Sequence, residues 1–179
     1  MAIVAAVAIV WQTRSQHTTA NDHGDDHEAA LPFLWTSGTD DLAAVELLHG
    51  GGRLRFERDD TGAWLLHRDH GPSAGEHAHK ARAGDADDPG PTLNTFSRTR
   101  TERRLPADAG SRQRFGLEAP ELIVLLFDRT NAHRLTVEVG DLGADGLARY
   151  IHVPQQQTVY TIPDYQIRGL RDLIDQARR

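Results

Sequence analysis

The residues best spaced for chemistry are histidines. His67, His70, His77 and His79, with Asp69 and Glu76 among them, crowd one short stretch. Imidazole and carboxylate together suit zinc, copper or nickel. Gly71, Pro72 and Gly75 would let the chain double back, returning His77 and His79 toward His67 and His70. His17, His23 and His27 make a second, looser set. A solvated histidine-rich tract has the same composition, so ligand set and plain loop both stand as readings.

Other chemistries find less support. His27-Glu28 runs on into Ala29, Ala30 and Leu31, without the second histidine of a zincin. The chain has no nucleophile elbow and no phosphate-binding loop, and it contains no cysteine, which excludes disulfides and thiolate nucleophiles. Gly140, Gly143 and Gly146 fall where a hairpin is expected, not a nucleotide fingerprint. The expectation is a protein that is not an enzyme. Arg98, Arg103 and Arg104, with Arg100, Arg112 and Arg114, concentrate positive charge in mid-chain. They read as a solvated helix face or as a docking surface for lipid headgroups or an acidic partner. A net charge of -6 gives no general attraction to a phosphate backbone, so nucleic acid is not an expected partner.

The elements that must position these residues follow from pattern. At 179 residues, 39% hydrophobic and 26% charged, the chain suits one domain with unstructured flanks. Residues 1–11 (MAIVAAVAIVW) are uncharged and apolar. They are too short to cross a hydrocarbon core of about 30 Å, and read as an N-terminal membrane anchor truncated at its front. Residues 12–30 follow as a flexible, acidic, histidine-containing spacer, and 31–179 as a single α+β domain.

Strands are expected at 44–48, 53–58 and 63–66. The second is clearest, because Leu54 and Phe56 alternate with Arg53, Arg55 and Glu57. Residues 67–91, rich in glycine, proline and histidine, make a long loop. A helix from Pro91 or Thr92 should carry Leu93 and Phe96 inward and Arg98, Arg103 and Arg104 outward. Residues 122–127 (LIVLLF) suit a central strand buried on both faces. Strands at 134–139, 150–153 and 158–162 and a helix from Pro163 with Ile167, Leu170 and Ile174 on one stripe complete the chain. The expected fold is therefore two antiparallel β-meanders, a mid-chain helix, and a C-terminal amphipathic helix packed on the sheet.

This order, together with Phe115-Gly116-Leu117-Glu118-Ala119-Pro120 before the central strand, Val139-Gly140-Asp141, Tyr150-Ile151-His152-Val153 and Val159-Tyr160-Thr161-Ile162-Pro163, resembles the DUF4340 family over residues 34–174. The resemblance implies a bacterial inner-membrane protein with its domain on the periplasmic side. Such genes often lie beside an ABC permease and a gliding-motility-type auxiliary protein, so the implied partners are an ABC transporter or other envelope proteins. It implies no catalytic residues. Two functions are expected from the sequence: a non-catalytic anchored accessory or interaction module, and alternatively a periplasmic metal-binding or metal-delivery protein using the loop His67–His79.

Overall fold

The computed structural model describes residues 34–35, 39–67, 88–108, 110–154 and 156–179. The expected anchor at 1–11, the spacer at 12–30 and most of the loop at 67–91, with His70, His77 and His79, lie outside the described residues. After a 3-10 turn at Thr39–Asp41 come strands β1 (Leu42–His49), β2 (Gly52–Arg58) and β3 (Trp64–His67), then helix α1 (Gly90–Ser97). Strand β4 (Arg103–Pro106) and the short helix α2 (Ser111–Arg114) precede β5 (Leu122–Asp128), β6 (His133–Leu142), β7 (Ala148–His152) and β8 (Thr158–Pro163), and helix α3 (Asp164–Ala177) closes the chain. The architecture is α+β. All the strands join one sheet in the order β3-β2-β1-β5-β6-β7-β8-β4, with every pairing antiparallel.

Period-two alternation sorts the strand residues between two faces. Val45, Phe56, Leu126 and Leu135 form one cross-strand row, and Leu47, Leu54, Val124 and Val137 the next. Both rows lie in the main core with Leu93 and Phe96 of α1 and Ile167, Leu170, Leu173 and Ile174 of α3. Each such side chain contributes roughly 1.5–3 kcal/mol on burial. α3 follows Pro163, whose φ of -57° suits the entry to a helix, and opens on Asp164, a favourable charge at a helix start. Its residues at spacings of three and four then face the sheet. The lack of a side chain at Gly169 brings α3 onto Thr92 of α1.

Two hairpins turn on one pattern, Asp59-Asp60-Thr61-Gly62-Ala63 and Asp128-Arg129-Thr130-Asn131-Ala132. In each, the aspartate Oδ1 accepts from the threonine N–H, the threonine hydroxyl and the alanine N–H. In each, the fourth residue has positive φ, 86° at Gly62 and 58° at Asn131. Asparagine tolerates that region better than most side chains do.

Two expectations are corrected. α1 ends at Ser97, so Arg103 and Arg104 stand on the edge strand β4 and not on the outside of a helix. The backbone after α1 is captured elsewhere: Thr99 O accepts from Leu34 N at 2.8 Å, and Glu102 N donates to Thr161 O at 2.8 Å. The central strand is buried fully on one face only, because Leu122, Val124 and Leu126 face the helices while Ile123, Leu125 and Phe127 are half-buried on the other side.

Candidate interaction face

Helices α1 and α3 leave the opposite face of β2, β1, β5 and β6 without a described element over it. Registers place one row there as His67, Arg55, Glu46, Leu125 and Thr136, and a neighbouring row as Leu65, Glu57, Ala44, Phe127 and His133. A third begins with Arg53, Leu48, Ile123 and Glu138. Leu48, Ile123, Leu125, Phe127 and Leu65 are each half-buried, so this face is partly apolar and partly charged.

Arg55 organises its centre. Its Nη1 donates to Glu46 Oε1 at 2.6 Å, its Nε pairs with Glu57, its Nη2 donates to Asn131 Oδ1 at 2.5 Å, and its guanidinium lies 4.6 Å from the Phe127 ring centroid. Glu46, with its side chain only 7% exposed, is also held by Arg53 at 3.1 Å. A carboxylate this enclosed needs such partners, since burying an unpaired charge is costly. The positive φ at Asn131 therefore serves two ends, closing the β5–β6 turn and aiming an amide at Arg55.

Farther along the same face, α2 and the turn after it cover β7, β8 and β4. Phe115, Leu117 and Val159 form a second small core, with Phe115 stacked on Tyr150 at 4.3 Å between centroids. Arg112 staples this cover down: its Nη1 lies 2.9 Å from Glu138 Oε2 and 3.1 Å from His152 Nδ1, and its Nη2 donates to Leu117 O at 2.5 Å. His152 Nδ1 is 3.0 Å from Glu138 Oε2, and its Nε2 is 2.9 Å from Gln156 O. Burial works against ionisation of Glu138, but hydrogen bonds from Arg112 and His152 hold its carboxyl below the usual range. Both ring nitrogens of His152 are thus engaged inside the fold.

A third network closes the end of the sheet nearest α3. Buried Arg149 donates from Nε to Asp164 Oδ1 at 2.9 Å and from Nη1 to Glu121 Oε2 at 3.1 Å, and Arg171 also pairs with Glu121. These bonds tie β7 and the entry to β5 to the start of α3.

Of the residues singled out from sequence, those the structure describes are dispersed. His67 ends β3, exposed and opposite Arg55, an unfavourable neighbour for a metal cation. Among the described residues no three His, Asp or Glu side chains stand close enough to hold a metal ion. Arg98 caps α1, and Arg103 meets Asp145 at 3.5 Å from the sheet edge. Arg112 and Arg114 work within the fold, the latter with its guanidinium 4.9 Å from the Phe115 ring centroid. The Arg55–Glu46 pair went unread in the sequence. Its signal was present in the alternation of 53–58, which puts Arg55 and Glu57 on one face, but the partners come from β1, β5 and a distant turn.

Among the described residues no helix is long and apolar enough to cross a membrane. A family model described as a domain of unknown function (DUF4340) matches residues 78–177, which takes in α1, β4 and everything after them. The sheet extends beyond that segment, since β1 to β3 precede it and β1 pairs with β5. No curated protein and no solved structure matches the chain.

Proposed function

Because the chain belongs to the DUF4340 family of domains of unknown function, we propose that it is a non-catalytic, membrane-anchored envelope module. In this reading the helix-free face of its sheet holds a protein partner, an ABC transporter component or another envelope protein. The observation that carries it is the run of half-buried Leu48, Ile123, Leu125 and Phe127 beside the Glu46–Arg55 pair. Antiparallel sheets commonly leave one face to solvent, but such a face usually reads polar. This one mixes apolar area with paired charge, as protein interfaces do. The apolar residues 1–11 supply the membrane attachment, with the domain on the periplasmic side.

The test is a photo-crosslinking residue at Thr136, in the full chain expressed in its native membranes. A discrete crosslinked product is expected, and Ile123→Arg with Leu125→Arg should abolish it while thermal unfolding stays cooperative. A product unaffected by the two arginines would move the partner to another surface, and no product would argue against the module.

A further inference from the structure

We infer that the partner of the helix-free face is a second copy of this chain, docked face to face about a two-fold axis; the inference rests on the reading of that face as a protein-binding surface. Four charged side chains cross the face as an alternating ladder. Arg53 meets Glu46 at 3.1 Å, Arg55 meets the same carboxylate at 2.6 Å, and Arg55 pairs in turn with Glu57. The inner two are enclosed, with side chains 7% exposed at Glu46 and 11% at Arg55, whereas the ends keep 50% at Arg53 and 42% at Glu57. The ladder thus shows solvent one positive end and one negative end. Arg53 and Glu57 stand two residues either side of Arg55 along β2, each about 7 Å from it.

A two-fold contact requires a surface that complements itself. An axis between two such faces, lying along the row of Arg55, Glu46 and Leu125, exchanges the row of Glu57, Ala44 and Phe127 with that of Arg53, Leu48 and Ile123. Glu57 then meets Arg53 of the second copy, and the two ladders close into one ring of alternating charge. Leu48 meets Ala44, a large side chain against a small one, and Ile123 meets Phe127, as facing sheets interdigitate. At the β6 end exposed His133 comes opposite Glu138, which Arg112 and His152 already hold. On the axis Leu125 meets its own copy. Glu46 and Arg55 do the same, but they are enclosed and neutralise each other within one sheet. α2 and the turn after it sit over His152 and Tyr150, on the Arg53 side of the axis, so the operation carries the two covers to opposite ends. Four strands by three rows make a patch roughly 20 Å square. That is small for a stable dimer, so the copies should separate at micromolar concentrations, and a shared membrane would raise their effective concentration.

Sedimentation of the full chain in detergent, over a micromolar concentration series, should show a dimer. Arg53→Glu and Glu57→Arg each set like charges against one another across the interface, so each variant alone should run as a monomer. Mixing the two variants restores both opposite-charge contacts, and the dimer should return. In a chain without native cysteine, Leu125→Cys should be joined to its copy by a short bismaleimide, whereas Leu147→Cys, on the β6–β7 hairpin, should not. If a charge variant fails to fold, the crosslink at position 125 decides alone. Folded variants that dimerise alone, or stay monomeric when mixed, would overturn the two-fold contact, as would a wild-type dimer that position 125 cannot join. Monomers throughout, while a photo-crosslinker at Thr136 joins the chain to a different protein, would overturn the second copy and leave the protein-binding face standing. Monomers throughout with no crosslinked product would overturn both.

Discussion

The carbonyl oxygen of Phe115 occupies the place where a side chain on Gly140 would have to go: a Cβ built there would lie 2.1 Å from it and 3.1 Å from Leu117 Cδ2. The close approach lets Asp141 N donate to Phe115 O at 2.8 Å, fastening the turn after α2 to β6. Gly140→Ala should therefore destabilise the fold by about 3 kcal/mol, the upper end for overpacking a tight site. Gly110→Ala, at an ordinary backbone angle with its nearest contact at 3.6 Å, should stay within about 0.5 kcal/mol. Urea unfolding of the two variants compares them directly. Equal midpoints would mean that the turn does not sit against β6.

Neighbouring leucines in β5 should respond differently. Leu126, at 0% exposure in the main core, should lose about 2–5 kcal/mol on change to alanine. Leu125→Ala, on the helix-free face, should cost about 1 kcal/mol. The reverse order in thermal or urea unfolding would place the strand one residue out of register.

Acid should expose the contribution of Asp128. Hydrogen bonds from the Thr130 side chain first, and from Arg134 next, hold its carboxyl well below the ordinary value of 3.8. A depressed folded value stabilises above the unfolded one, and that stabilisation is lost as pH falls through the folded value. Asp128→Asn should therefore lower the urea midpoint at neutral pH, with the gap from wild type narrowing progressively below about pH 3.8. A gap that is constant from neutral pH into that acid range would show that the charge of Asp128 contributes nothing.

Arg149→Met should cost about 3–5 kcal/mol, because it strips Asp164 of its buried partner and leaves only the longer contact to Arg168. Adding Asp164→Asn should recover a large part of that loss, since the stranded charge goes with it. Additive losses in the double variant would show that the two side chains do not act as a pair.

Much of this molecule is local in origin. Alternation at 53–58 and 134–139, the apolar run at 122–127 and the stripe Ile167, Leu170 and Ile174 are consequences of strand and helix periods, and they found their elements to within a few residues. The turn chemistry of Asp59-Asp60-Thr61-Gly62 was equally local. Tertiary structure decided what depends on distant partners. It determined that β1 pairs with β5, that residues 103–106 form an edge strand although their own sequence carries no alternation strong enough to announce it, and that Ile123 and Leu125 face away from the helices. It also set the roles of the arginines. Arg55, Arg112 and Arg149 look alike in sequence to Arg103 and Arg168, yet the first three meet carboxylates brought from other elements and are tied into the fold, while the last two remain largely in solvent. A charged side chain carries no record of its partner, because a long-range ion pair is made by the fold and not by the spacing of its members.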